Sequence, residues 1–220
     1  IPKFTALCLG AALSLAYAFS GGFSAVVRTD KLQFVLMFTG FSILLSSCYF
    51  EYGGISFLTG NTPDFAFSIP GNFSWTFVFV WGFIAFITFI DPGFYQRTFS
   101  GSSLKTVQKG IIISVLFWVV FDFMTVFTGL YALAILPPGS ESPYLDLAQQ
   151  VLPPLAQGFF IVSLFAIVMS TVDSFSFISA FTIGKDFSAF INSKNGDKEI
   201  LFYTRWGIVI TALFSIFLAM

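Results

Sequence analysis

The chain has 220 residues, of which 56% are hydrophobic and only 10% are charged, and its mean hydropathy is +0.88. A soluble domain carries about 25% charged residues, so this composition excludes a water-soluble globular protein and indicates a chain solvated by lipid. The net charge of −1, without a basic cluster, argues against a nucleic-acid partner, and the absence of histidine removes the most common metal ligand and general base.

Six apolar stretches are candidates for membrane-spanning helices. A helix that crosses the hydrocarbon core needs roughly 20 mostly apolar residues, and none of the stretches alternates polar and apolar residues as a transmembrane strand would. We therefore expect an all-α polytopic membrane protein with six transmembrane helices, at residues 4–19, 33–50, 73–90, 110–136, 151–183 and 206–220.

Both ends of the chain indicate a piece of a longer protein. The sequence opens with Ile1, Pro2 and Lys3 rather than methionine, and it closes inside an apolar run. The first and last predicted spans are short, as truncation would make them. We expect residues 1–220 to be part of a single transmembrane domain that is truncated at both ends.

The predicted loops alternate in charge. The second loop (51–72) and the fourth (137–150) contain no lysine or arginine. Because positively charged loops stay in the cytoplasm, we predict that the first, third and fifth loops are cytoplasmic and that Lys3 alone falls on the other side. The basic residues of these three loops are Arg28, Lys31, Arg97, Lys105, Lys109, Lys185, Lys194, Lys198 and Arg205.

Asp91 lies near the cytoplasmic end of the third predicted span, directly before Pro92 and Gly93. An aspartate N-cap followed by proline at the first helical position marks a helix start. We therefore predict that this span is interrupted before Asp91 or a little upstream. Broken helices are where transporters place binding sites, but a plain cap on a cytoplasmic helix is an equal alternative.

Asp122 lies near the middle of the fourth predicted span. An ionisable group at membrane depth is costly and is a functional candidate by default. The sequence offers no evident partner for this carboxylate, so contact with a substrate or an ion stands beside a hydrogen bond to another helix.

Asp173 lies in the fifth predicted span among hydroxyl residues. On a helix, Ser170, Asp173 and Ser174 share one face, and Thr171 shares a face with Ile167 and Ser174. Oxygen ligands hold small hard cations, so this pattern predicts a cation site. The alternative is that the hydroxyls bond back to helix carbonyls and pack against a neighbouring helix.

Three segments resemble motifs of the sodium/solute symporter family. Residues 17–33 read YAFSGGFSAVVRTDKLQ, which resembles the family's Y-x-x-x-G-G-x-x-A-V-x-x-T-D-x-x-Q. Residues 91–100 read DPGFYQRTFS, similar to the Q-R segment after the family's broken helix. Residues 166–174 read AIVMSTVDS, similar to its M-S-[ST]-x-x-S helix, whose closing aspartate corresponds to Asp186. The segments occur in family order and cover nearly the whole chain.

The resemblance implies the leucine-transporter-type fold, with two inverted five-helix repeats. The six spans would be core helices four to nine. The region 73–97 would be the broken helix that opens the second repeat.

The resemblance also implies a sodium site. The family uses two hydroxyls and one backbone carbonyl from core helix eight, together with carbonyls from core helix one. Matched residue by residue, these are Ser170, Thr171 and the carbonyl of Ile167. The ligands from core helix one precede this chain.

Some family members have a second sodium site that uses the aspartate of the T-D-x-x-Q motif. That residue is Asp30 here, and Ser170, Asp173 and Ser174 would complete the site. The best-described second sites have a hydroxyl where this chain has Asp173. The substitution would strengthen the site or replace the ion with a proton.

The family's sugar-binding members carry asparagine and aromatic residues around the break of the third span. This chain has Ile84, Ile87, Thr88 and Asp91 there, which argues against a sugar. These four residues, together with Asp122, are the candidate substrate contacts.

The residues and the resemblance together predict part of a transporter domain in the cell membrane. It would couple uptake of a small organic solute to sodium by alternating access, with sodium as the coupling ion and no other cofactor. The alternative is the membrane sensor domain of a symporter-like signalling protein. An enzyme is not expected, because the sequence lacks histidine and places Cys8 and Cys48 far apart.

Overall fold

The computed structural model describes residues 3–191 and 196–219, so Lys194 and the two chain ends lie outside the described residues. The predicted all-α fold is confirmed, since no strand occurs in these two ranges. The α-helices are α1 (Lys3–Tyr52), α2 (Ile55–Asn61), α3 (Trp75–Ile84), α4 (Pro92–Phe99), α5 (Leu104–Ile135), α6 (Pro143–Val151), α7 (Pro154–Thr182), α8 (Ser188–Ile191) and α9 (Asp197–Leu218). Two 3₁₀ segments, Asp64–Phe67 and Ala85–Phe89, and one π-helical segment, Ile183–Phe187, complete the set.

Helix α1 joins two of the predicted spans. It contains both 4–19 and 33–50, together with the predicted first loop that carries Arg28 and Lys31. The backbone leaves the helical conformation at Gly22, where φ is 58° and ψ is −151°, a combination that glycine adopts almost alone. The predicted loop is therefore wrong: residues 3–52 contain no proline, and helical hydrogen bonding resumes beyond the kink.

Five helical segments in the described ranges are long and apolar enough to cross a membrane, rather than the six that we predicted. The difference lies at residues 4–19, which precede the kink of α1 at Gly22, whereas the first of the five segments begins at Ala18. Helix α9 also begins nine residues before the predicted 206–220 span, so Lys198 and Arg205 are helical. The five segments are Ala18–Tyr52, Trp75–Phe99, Leu104–Ile135, Pro154–Ile191 and Asp197–Leu218.

The predicted interruption of the third span is confirmed. Helix α3 ends at Ile84, a 3₁₀ segment follows, and α4 starts at Pro92 with Asp91 as its N-cap. Proline has no N–H and disfavours helical backbone at the preceding residue, and Asp91 is indeed extended, with φ −69° and ψ 121°. Its Oδ1 accepts hydrogen bonds from the backbone N–H of Gly93 at 2.7 Å and of Phe94 at 3.3 Å.

The chain divides into two compact units, one formed by residues 36–164 and the other by 1–35 with 165–220. In the first, Phe41 is buried, and its ring lies edge-on to the rings of Phe160 and Tyr144 at centroid distances of 5.3 Å. A Cβ at Gly40 would overlap the side chain of Ser163. Within this unit, α1 and α7 therefore pack at close range.

The second unit holds the candidate cation residues and has its own apolar core. Helix α9 packs against α7 through Gly207, where an added Cβ would lie 2.8 Å from the carbonyl oxygen of Ala180. A Cβ at Gly184 would similarly meet the backbone of Thr204, with 2.6 Å to its nitrogen. The buried core residues of this unit are Ala18, Val26, Phe177, Ala180 and Ile208.

Candidate cation site

Helix α7 presents Asp173 to the interior of its unit. The helix is continuous from Pro154 to Thr182, so Ser170, Asp173 and Ser174 share one face as predicted. Asp173 has an exposed fraction of 0%, and Ser170 and Ser174 are half-buried. A buried carboxylate in an apolar helix is stable only with charged or hydrogen-bonding partners.

The first contact between α1 and α7 joins Asp30 to Ser170. The Ser170 hydroxyl donates a hydrogen bond to Oδ1 of Asp30 at 3.2 Å. Asp30 lies on α1 and Ser170 on α7, 140 positions apart in sequence, yet both belong to the same compact unit. The structure thus brings together two of the four residues that the family resemblance assigns to a second sodium site.

The second contact between α1 and α7 joins Gln33 to Asp173. The Gln33 amide Nε2 donates to Oδ2 of Asp173 at 3.3 Å, and Gln33 itself has an exposed fraction of only 6%. The sequence alone assigns no role to Gln33, although this residue closes the T-D-x-x-Q segment. The signal that could have found it is its spacing of three residues from Asp30, which places both side chains on one face of α1.

Thr171 and Ile167 lie next to each other, as neighbours four residues apart on a helix must. The Thr171 hydroxyl donates to the Ile167 carbonyl oxygen at 3.3 Å, and the Thr171 side chain is exposed. This is the back-bond that a helical threonine makes without any ligand. The same two oxygens are the predicted sodium ligands, and they stand within one turn of Ser170.

Within this unit, α1 supplies the carboxylate of Asp30, and α7 supplies the carboxylate of Asp173 and the hydroxyls of Ser170, Thr171 and Ser174. Such an all-oxygen set matches the ligand preference of small hard cations. It lacks the nitrogen and sulfur ligands that a transition metal prefers, and no cluster of three or more His, Cys, Asp or Glu side chains occurs in the described ranges.

The predicted substrate residues lie in the other compact unit. Ile84 ends α3, and Ile87 and Thr88 belong to the 3₁₀ segment after it; Ile84 is 46% exposed and Ile87 61%. The Asp91 carboxylate caps α4, which is compatible with both alternatives for this residue. Asp122 is exposed on α5, where its backbone carbonyl accepts a hydrogen bond from the Thr125 hydroxyl at 3.0 Å.

A sequence model of the sodium:solute symporter family matches residues 1–220 of the chain. The chain belongs to the sodium:solute symporter family. The resemblance carried by the three motifs is thereby confirmed. The family is one of transporters and not of enzymes. The five apolar helical segments in the described part of this chain agree with a multi-pass integral protein of the cell membrane.

Three relatives illustrate where this symporter-family chain stands. It is 27% identical to a sodium/pantothenate symporter of Haemophilus influenzae, over 93% of this chain and 44% of the relative. It is 29% identical to a sodium/proline symporter of the same organism, over 98% and 46%. It is 24% identical to the high-affinity proline transporter PutP of Bacillus subtilis, over 98% and 48%. The chain therefore spans about half the length of these relatives.

Proposed function

We propose that this chain is the part of a sodium-coupled symporter that binds the coupling ion. The hydroxyls of Ser170 and Thr171 and the carbonyl of Ile167 ligate one sodium ion. Asp30, with Ser170, Asp173 and Ser174, provides the negative potential and the further oxygens for a second ion.

The observation that carries this proposal is the 3.2 Å contact between Asp30 and Ser170. It brings a carboxylate from α1 to the hydroxyl-bearing face of α7, one turn from the buried carboxylate of Asp173. Coulomb attraction is strong where water is excluded, so a cation between these helices gains far more than it would beside an exposed aspartate.

The transported species is proposed to be a small organic solute. One of the three relatives is named for pantothenate and two are named for proline, and both molecules carry a carboxylate. One sodium ion that moves down a membrane potential supplies ~2.3 kcal/mol per 100 mV, before its own concentration gradient is counted. One or two ions are therefore sufficient to accumulate such a solute against its gradient by alternating access.

The test is uptake by the full-length protein in sealed vesicles. Radiolabelled proline and pantothenate are supplied with an inward sodium gradient or with choline in its place, and protein-free vesicles are the blank. We expect accumulation of at least one solute with sodium and its loss when monensin dissipates the gradient. Equal accumulation in sodium and in choline would rule out sodium coupling.

A further inference from the structure

Gln33 is buried against Asp173 but has no part in the ligand set described above. Its amide N–H donates to the carboxylate, while its amide oxygen Oε1 is buried and has no hydrogen-bond partner among the described residues. Buried polar atoms almost always have a partner. An acceptor left without one, beside a fully buried carboxylate, indicates a position where a donor or a cation binds.

Gln33 lies where α1 and α7 contact each other through polar side chains. Asp30 and Gln33 are one turn apart on α1, and they contact Ser170 and Asp173, which are one turn apart on α7. The carboxamide therefore belongs to the same row of polar contacts as the predicted cation ligands. It lies deeper than Asp30, since Gln33 is buried whereas Asp30 is only half-buried.

We propose that Gln33 is a ligand of the cation held by Asp173, and contributes its Oε1. The terminal amide torsion of glutamine is soft and roughly two-fold, so the carboxamide can turn its oxygen toward the ion. The cation then replaces the amide N–H as the partner of the Asp173 carboxylate and fills the coordination of Oε1. The inference rests on the proposed function, because sodium is taken as the ion.

A bound cation is a better partner for the Asp173 carboxylate than the Gln33 amide N–H is, and it also contacts the Gln33 amide oxygen. The existing N–H contact to Asp173 is 3.3 Å long, beyond the usual 2.9–3.0 Å of such bonds, and the amide donor carries no charge. A hard monovalent cation compensates the carboxylate charge and accepts the lone pairs of the amide oxygen at the same time. Gln33 would thus help to select an ion over a proton, because a bound proton leaves Oε1 without a ligand.

The test uses two substitutions of Gln33 that separate an oxygen ligand from an N–H donor. Gln33→Leu removes both the N–H donor and the oxygen acceptor of the amide at similar volume. Gln33→Glu removes the N–H donor but keeps an oxygen. Equilibrium binding of ²²Na⁺ to the purified full-length protein is measured for both, with Gln108→Leu, at an exposed position on α5, as the matched control. Thermal unfolding in detergent verifies that each variant is folded, and Gln33→Met replaces Gln33→Leu if the latter is not.

We expect Gln33→Leu to weaken sodium binding roughly tenfold or more, as the loss of a metal-site partner does. Gln33→Glu should bind sodium at least as tightly as the wild type, and Gln108→Leu should be unchanged. Equal weakening by Gln33→Leu and Gln33→Glu would overturn the proposal, since the side chain would then serve only as a donor to Asp173. Wild-type binding in both would overturn it as well.

Ser170→Ala distinguishes failure of this inference from failure of the proposed function. If Ser170→Ala weakens sodium binding while both Gln33 variants bind as the wild type does, only the role of Gln33 is wrong. If the wild-type protein binds no sodium, or if Ser170→Ala leaves binding unchanged, the proposed ion site on α7 fails and the role of Gln33 fails with it.

Discussion

Asp173 has no exposed surface, although it lies in a helix that is otherwise mostly apolar. A carboxylate at such a position costs several kcal/mol unless a partner compensates it. The amide of Gln33 on α1 donates a hydrogen bond to it, and the hydroxyls of Ser170 and Ser174 lie on the same face of its own helix. A buried carboxylate of this kind is what the proposed cation site requires.

Removal of a single hydroxyl ligand gives the most direct test at this scale. Ser170→Ala and Thr171→Ala should each raise the sodium concentration for half-maximal uptake, by roughly threefold to tenfold for the loss of one neutral contact. Expression should stay near normal, since alanine is the best helix former. Ser179→Ala, at an exposed position on the same helix, is the control. Unchanged sodium dependence in the first two variants would mean that their hydroxyls only pack against the helix.

Prediction from sequence succeeded for single residues where the signal is local or belongs to a family motif. Asp91 was predicted as a cap because Asp-Pro-Gly fixes the backbone within four residues. Asp30 and Ser170 were paired through the resemblance. The role of Gln33 could not be read, because one sequence gives the spacing of residues along a helix but not which helix faces them 140 positions away.

At the scale of elements, the interruption of the third span and the kink inside α1 have different sequence signals. Pro92 removes an N–H and excludes helical backbone before it, so the break near Asp91 was predictable. Gly21 and Gly22 permit a turn but do not require one, since glycine also tolerates a kink inside a helix. The structure has such a kink at Gly22, and the residues that it describes contain five candidate spans rather than the predicted six.

The alternatives for Asp91 can be separated by two substitutions. Asp91→Ala removes the acceptor for the N–H groups of Gly93 and Phe94 and should lower the free energy of unfolding by about 1 kcal/mol. Asp91→Asn keeps an acceptor and should stay near wild-type stability in a thermal unfolding assay. Ser74→Ala removes the equivalent cap of α3 and calibrates the measurement. Normal stability of Asp91→Asn with lost uptake would instead assign the carboxylate to substrate.

The packing of α9 against α7 should be sensitive to one methyl group. Gly207→Ala places a Cβ 2.8 Å from the Ala180 carbonyl oxygen, and overpacking of this kind costs about 1–3 kcal/mol. Gly158→Ala on α7, where nothing lies within 4 Å of an added Cβ, should be neutral or stabilising. Melting temperatures of the two purified variants check this, and equal values would contradict the close packing at Gly207.

At the scale of the whole molecule, the orientation in the membrane follows from the distribution of basic residues and stays a prediction. Ser102 lies in the connection between α4 and α5, near Lys105 and Lys109, and should face the cytoplasm. With Cys8 and Cys48 replaced, Ser102→Cys should react with a membrane-impermeant maleimide only in permeabilised cells. Ser142→Cys, in the connection without basic residues, should react in intact cells. The reverse pattern would invert the topology.

The compact unit that contains the candidate cation site is built from two segments separated by residues 36–164. Asp30 and Gln33 are synthesised with the first segment, whereas Ser170 and Asp173 belong to the second. At about 5–20 residues per second, the ribosome takes on the order of ten seconds to produce the intervening chain. A nascent protein that has not reached α7 holds only part of the candidate ligand set, so we expect sodium to aid the folding of this unit only after α7 has been synthesised.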